Sequence, residues 1–260
     1  MRDSLKKSEF WSAMILLVLH MAVFPIALSL LMAAKPDLLS ASQMNFIYYA
    51  LSLLLVALFL GKFLRRSFDG LVDAPGRCLT SFALGWVAYI ALGMIATYAL
   101  KALDINTDNL NEQTISTMLS SDRGIIIAMT VFLAPIVEES IFRGGIFCGL
   151  HQKSRVAAYA ASIVMFCLYH VWQYAVLLWD ASYLLLAIQY IPAAIVLCRI
   201  YERSGSIWTT LITRNCSAPA APLSDFYTDL RGANENKHEK NCDKRNAHRL
   251  RRNIHARSCA

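Results

Sequence analysis

Charged residues are scarce in this chain. They make up 17% of its 260 residues, whereas hydrophobic residues make up 57%. An ordinary soluble domain carries about 25% charged residues, so this composition excludes an ordinary soluble protein. Residues that break helices are also few, with 11 glycines and 7 prolines. The composition therefore predicts an all-α fold, a polytopic helical membrane bundle of about six to seven transmembrane helices.

Recognised metal and redox motifs are absent from the sequence. Its seven cysteines are scattered without a CxxC pair or zinc-finger spacing, and there is no HExxH motif. A catalytic zinc site needs about three protein ligands and an open position. The apolar segments offer Glu138 and His170, so we assign no metal and name these two as the ligands if zinc is bound. His20 also lies in an apolar segment, but nothing in the sequence places it near the other two.

Positive charge is concentrated at one end of the chain. The net charge is +7, and the residues after Leu211 hold ten Lys+Arg and five Asp+Glu, which leaves +5 there and +2 in the rest. Because the basicity belongs to this C-terminal stretch, it does not indicate a nucleic-acid partner.

Apolar runs predict six membrane spans. The first is long for a cleaved signal peptide, so we interpret it as a span. Pro192 is expected to kink the sixth span. The runs cover residues 10–32, 46–60, 79–100, 125–150, 156–178 and 182–201.

The basic clusters lie in alternate loops, at the N-terminus, 62–77, 151–155 and 199–203, whereas the loop 101–123 is acidic. Cytoplasmic loops carry the excess of Lys and Arg. We therefore expect a multi-pass protein of the cell (plasma) membrane with a cytoplasmic N-terminus.

Three charged residues interrupt the fourth apolar run: Glu138, Glu139 and Arg143. A charge at the centre of a membrane helix costs at least about 2.5 kcal/mol, so it is expected to be paired or functional. Glu139 and Arg143 are four residues apart on one helix face and can form an ion pair. Glu138 points away from that face and has no partner within this segment. The paired glutamate is therefore interpreted as structural and the unpaired one as functional.

His170 lies in the fifth apolar run. A free carboxylate and a histidine on consecutive helices suit the activation of water, in which Glu138 takes a proton and the imidazole holds the water or the developing oxyanion. The alternative is a buried polar network that only holds the helices together.

The charged stretch Glu138-Glu139-Ser-Ile-Phe-Arg143 resembles the EExxxR motif of the CPBP family, the CAAX-protease and bacteriocin-processing membrane proteins, also called Abi. Phe166-Cys-Leu-Tyr-His170 resembles the family's FxxxH motif, about thirty residues later. The likeness covers about residues 80–211. It implies an all-helical intramembrane endopeptidase with its active site open to the cytosol. Glu138 would be the water-activating residue and His170 its partner, supported by Glu139, Arg143 and Phe166.

The resemblance stops near the end of the apolar sequence. The family carries a further histidine near position 214, where this chain has Arg214. Residues 212–260 are polar and basic, and they are predicted to form a disordered tail. The abrupt change is typical of a shifted reading frame or a truncation, and a chain altered in this way would lack part of its oxyanion site and be inactive. The expected divisions are N-terminal transmembrane helices (1–78), a protease-like core (79–211) and the tail (212–260).

Two functions from different classes follow. The first is an intramembrane endopeptidase that hydrolyses membrane-associated or prenylated-type peptides with glutamate-activated water and requires no cofactor. Its partners would be membrane lipid and a hydrophobic or lipidated peptide or protein substrate. We expect no nucleic-acid partner. The alternative is a non-enzymatic membrane protein such as a bacteriocin self-immunity factor. A transporter is disfavoured because no duplicated halves are visible.

Overall fold

The computed structural model describes residues 5–103 and 110–217. Regular structure in this part is helical, without strands, and six helices are long and apolar enough to cross a membrane. Two shorter helices, Leu110–Ser121 and Ile207–Ser217, complete the described part. The predicted all-α membrane bundle is confirmed. The eight helices are α1 (Lys7–Ala34), α2 (Ala41–Asp73), α3 (Pro75–Ala102), α4 (Leu110–Ser121), α5 (Arg123–His151), α6 (Arg155–Leu177), α7 (Ala181–Ser204) and α8 (Ile207–Ser217).

Local signals in the sequence begin and end these helices. Ser40 forms a capping box at the start of α2, since its hydroxyl accepts from the backbone N–H of Gln43 while the Gln43 side chain accepts from the backbone N–H of Ser40. Ser154 caps α6 by accepting from the N–H of Ala157. Gly205 ends α7 with a φ of 72°, a left-handed conformation that glycine adopts without steric cost.

Pro192 lies where the winding of α7 changes. Residues Ala181–Tyr190 form a 3₁₀-helix, and the α-helical part of α7 begins at Ile191, which places Pro192 in its first turn. A proline there loses no helical hydrogen bond, because the first N–H groups of a helix have no intrahelical partner. The proline therefore marks a change of helix type.

Helix α4 lies in the acidic stretch 101–123, for which the sequence predicts a loop. Its segment, Leu110–Ser121, is polar and lacks an apolar period, so the pattern gave no helix signal. Asp104 and Asp108 of the same stretch lie outside the described residues.

Helical structure continues six residues beyond Leu211, where the apolar sequence ends. Helix α8 continues to Ser217, and its last turns are bound to other helices. The Asn215 side-chain amide donates to the Val131 carbonyl (2.9 Å), and the Trp86 indole donates to the Cys216 carbonyl (3.1 Å). Composition missed this because these polar groups are satisfied by contacts between helices. Residues 218–260 lie outside the described part, so the disordered tail and the domain boundaries stay predictions.

Helix α5 lies at the centre of the bundle. Its most apolar stretch is 56% buried, compared with at most 28% in the other five spanning helices. Glycines allow the neighbours to approach, because an added Cβ at Gly145 would lie 2.6 Å from the Cβ of Ala13 on α1, and one at Gly144 would lie 2.6 Å from the ring of Phe63 on α2. Such small residues let membrane helices pack closely.

Candidate functional site

The charged residues of α5 lie where the helix changes its winding. Residues Ser140–Phe147 form a π-helix directly after Glu139, and all eight are buried. Another π-helical stretch, Met129–Leu133, precedes the glutamates. Such segments are frequent at functional sites. Here the second stretch begins directly after the two glutamates and contains Arg143.

The predicted ion pair is present. Arg143 Nη1 lies 3.0 Å from Glu139 Oε1, and neither side chain is exposed. The guanidinium carbon of Arg143 also lies 4.2 Å from the centroid of the Phe166 ring, within range of a cation–π contact. Phe166 thus supports the arginine that pairs with Glu139, and α5 and α6 are joined through this contact.

His170 faces Glu138 with a defined nitrogen. Its Nδ1 lies 2.8 Å from the Phe166 carbonyl oxygen, which can only accept, so Nδ1 carries the proton. In the neutral ring Nε2 is then an acceptor, and it lies 3.9 Å from Glu138 Oε2. This separation is too long for a direct hydrogen bond, but one water bound at ~2.8 Å to each atom spans it. The structure therefore brings together the two residues assigned to water activation.

Glu138 has a cationic partner that the sequence motifs did not indicate. Arg214 Nη1 of α8 lies 2.7 Å from Glu138 Oε2 and 3.8 Å from Glu139 Oε1. The Arg214 guanidinium and the Glu138 carboxylate therefore form a close ion pair that joins α8 to α5. Helical spacing could have indicated that Arg214 faces the bundle, because Ile207, Thr210 and Arg214 lie on one face of a helix. Ending the helix at Leu211 concealed it.

A tyrosine also reaches the carboxylate. The Tyr49 hydroxyl of α2 donates to Glu138 Oε1 at 3.4 Å, and it lies 2.8 Å from the Tyr169 hydroxyl of α6. Tyr169 in turn lies 3.0 Å from His20 Nε2 on α1. The structure thus links His20 to the other candidates, which sequence distance did not suggest. The sequence did contain one indication for His20, because an ionisable residue inside an apolar span is a functional candidate by default.

Comparison with known protein families bears on the same part of the chain. Residues 121–215 match an Rce1-like family model, described as type II CAAX prenyl endopeptidase Rce1-like. This match confirms the resemblance to the CAAX-protease family over that segment. At family level it supports a CAAX-type intramembrane protease. Searches of curated proteins and of solved structures gave no match.

The Rce1-like segment contains every site residue named from the sequence, and also Arg214. Among the described residues there is no group of three or more His, Cys, Asp or Glu side chains that could hold a metal ion. Glu138 and His170 supply two of the about three ligands of a zinc site, and the Arg214 guanidinium lies beside Glu138. These donors do not fit a zinc centre.

Proposed function

We propose that this chain is an intramembrane endopeptidase in which Glu138 activates a water molecule. The observation that carries the proposal is the 3.9 Å separation between Glu138 Oε2 and His170 Nε2, two acceptors that face each other in a buried site. A water that donates one proton to each acceptor keeps its oxygen lone pairs free for attack. The match to a protease family supports the same chemistry.

In the reaction the water oxygen attacks the carbonyl carbon of the substrate peptide bond, and Glu138 takes the proton. The tetrahedral intermediate then collapses, the C–N bond breaks, and the proton passes to the leaving amine. General-base catalysis of this kind contributes about 10² to 10⁴ in rate. The Glu138–His170 pair supplies both the base and the group that orients the water.

Arg214 limits this chemistry. Its guanidinium lies 2.7 Å from Glu138 Oε2, the same oxygen that faces His170. Protonating Glu138 during the reaction would break a close ion pair, so the pair opposes proton transfer. The resemblance expects a histidine at this position, and we propose that the chain with Arg214 is slow or inactive for this reason.

The substrate would be a hydrophobic or lipidated peptide that reaches the site from the membrane. Glu138, Glu139 and Arg143 lie within a spanning helix, so a peptide bond must enter the bilayer region to meet them. The family description names prenyl endopeptidases, which suits a prenylated peptide. The alternating basic loops support a plasma-membrane protein with its N-terminus in the cytoplasm.

The test is hydrolysis of a farnesylated CAAX-type peptide by the full chain in lipid nanodiscs. Glu138→Gln keeps the size of the side chain and removes the base, so we expect the rate to fall to background. Glu9→Gln is the matched control, because Glu9 is another buried glutamate and pairs with Arg66 at 2.7 Å outside the site. If Glu9→Gln hydrolyses the peptide above background and Glu138→Gln is equally fast, the proposal is overturned.

One observation favours a second function. Glu138, Glu139, Arg143 and Arg214 include two positive and two negative charges in contact, which suits a purely structural cluster. The chain would then be a non-enzymatic membrane protein such as a bacteriocin self-immunity factor. Protection of cells in a bacteriocin challenge that persists in Glu138→Gln, without peptide hydrolysis by the parent chain, would support this function.

A further inference from the structure

A line of hydrogen bonds connects three helices to Glu138. The Ser52 hydroxyl lies 2.9 Å from His20 Nδ1, and His20 Nε2 lies 3.0 Å from the Tyr169 hydroxyl. Tyr169 lies 2.8 Å from the Tyr49 hydroxyl, which lies 3.4 Å from Glu138 Oε1. The line alternates between α2, α1 and α6 before it returns to α2 and ends on α5.

The donor and the acceptor in each of these hydrogen bonds can be assigned by starting at Glu138. An ionised Glu138 only accepts, so the Tyr49 hydroxyl donates to it and must itself accept from Tyr169. Tyr169 then has no second proton to donate, so it accepts from a proton on His20 Nε2. In the neutral ring Nδ1 is left as an acceptor, and the Ser52 hydroxyl donates to it. Every bond therefore points toward the carboxylate.

Tyr48 fixes the same arrangement at the histidine. Its hydroxyl donates to the His20 backbone carbonyl at 2.9 Å, so at His20 Nε2, also 2.9 Å away, it can only accept. The Tyr48 ring is stacked on the imidazole, with centroids 4.6 Å apart, and the Tyr169 ring is stacked at 5.1 Å. The His20 ring is 1% exposed. Neighbours on α2 and α6 therefore hold both its plane and its tautomer.

The two oxygens of Glu138 have separate partners. Tyr49 binds Oε1, whereas Oε2 faces His170 Nε2 and Arg214. A donor on Oε1 limits rotation of the carboxylate and leaves Oε2 directed at the place where a water would bridge to His170. Hydrogen bonds in such a line polarise one another, so a change at the far end is felt at the carboxylate.

We propose that His20 is a positioning residue for Glu138 and acts through Tyr169 and Tyr49. The inference rests on the proposed function for the role of Glu138, but the arrangement of the carboxylate can be measured without hydrolysis. Ser52 belongs to the same device, because it selects the His20 tautomer whose Nε2 donates. Without that selection Tyr169 can donate to His20 instead, and Tyr49 loses its donor.

The experiment compares Tyr49→Phe, His20→Phe and Ser52→Ala with the parent in lipid nanodiscs. The first readout is the carboxylate stretch of Glu138 in the infrared spectrum, assigned as the band that disappears in Glu138→Gln. The second is peptide hydrolysis, resolved into kcat and KM. Tyr159→Phe is the matched control, because it removes a tyrosine hydroxyl that donates to a different glutamate, Glu202, at 2.8 Å.

We expect the Glu138 band to shift most in Tyr49→Phe, and in the same direction in His20→Phe and Ser52→Ala, with no shift in Tyr159→Phe. In a hydrolysing chain we expect kcat to fall about tenfold with KM unchanged, since positioning and not binding is affected. Ser52→Ala removes only a hydroxyl, so it still reports if His20→Phe fails to fold.

A Glu138 band that stays in place in both Tyr49→Phe and Ser52→Ala would overturn the positioning role. Undiminished hydrolysis in Glu138→Gln would instead overturn the proposed function. The positioning of the Glu138 carboxylate would then be decided by the infrared bands alone. A band shift in a chain that hydrolyses nothing would support the arrangement and count against the enzymatic function.

Discussion

At the scale of single residues, we expect the buried ion pair of Glu139 and Arg143 to contribute strongly to the stability of the fold. Removing one member of a buried ion pair leaves the other charge unpaired and costs about 3–5 kcal/mol. Arg143→Ala should therefore reduce the amount of folded protein in the membrane more than Glu138→Gln does. Thermal unfolding in detergent and accumulation in membranes measure the difference.

The reason for this contrast is exposure. Arg143 and Glu139 are fully buried, whereas the Arg214 side chain that would lose its partner in Glu138→Gln is 20% exposed and also lies 3.8 Å from Glu139. The double variant Glu139→Gln/Arg143→Met should recover part of the loss, because no buried charge remains unpaired. Equal stability of Arg143→Ala and Glu138→Gln would show that the Glu139–Arg143 pair does not stabilise the fold as expected.

Arg214 gives a second prediction at this scale. Arg214→His removes the permanent charge beside Glu138, so proton transfer to the carboxylate no longer breaks a close ion pair. We expect kcat for a farnesylated peptide to rise above that of the parent. Arg199→His, a change at an exposed arginine that binds Glu202, is the control and should leave kcat as it is. A fall in kcat with Arg214→His would instead make Arg214 a contributor to the reaction.

The residue contacts that could be predicted are the local ones. The Glu139–Arg143 pair follows from a spacing of four residues, and the assignment of Glu138 and His170 followed from charge in apolar runs and from the motifs. Contacts of Arg214, Tyr49 and His20 with the site depend on how distant helices pack. No local pattern encodes that packing, so the sequence showed at most that such residues are unusual in apolar helices.

At the scale of helices, length and apolarity predicted the six spans, because the bilayer demands a continuous apolar run. The predicted bounds were too short in most cases, and α2 extends from 41 to 73 where 46–60 was expected. Polar turns at helix ends can continue beyond the apolar core, so apolarity alone underestimates length. The same limitation hid α4 and the last turns of α8, which carry little apolar signal.

The packing of α1 on α5 gives a third prediction. Gly145→Ala would place a Cβ 2.6 Å from the Ala13 Cβ, so the helices must separate, and overpacking of this kind costs about 1–3 kcal/mol. Gly93→Ala in α3 is the control, because nothing lies within 4 Å of its added Cβ and alanine favours a helix by about 1 kcal/mol. Thermal unfolding should show loss of stability in the first and not in the second. A Gly145→Ala variant as stable as Gly93→Ala would contradict close packing of α1 on α5.

At the scale of the whole molecule, the orientation in the membrane remains a prediction from charge. Basic loops alternate along the chain, so α4 should face away from the cytoplasm and the turn at Lys153 should face it. In a background free of native cysteines, Gln113→Cys should react with an impermeant maleimide in intact cells. Lys153→Cys should react only after permeabilisation. The opposite pattern would invert the predicted topology.

The central claim is that Glu138 and His170 act together on one water. The most direct measurement is the rate of peptide hydrolysis by Glu138→Gln, His170→Ala and the double variant, in the parent and in the Arg214→His background. Residues that serve one step are not additive, so we expect each single variant to lose activity and the double variant to be scarcely slower than either. Multiplicative losses in the double variant, or full activity in either single variant, would contradict the claim.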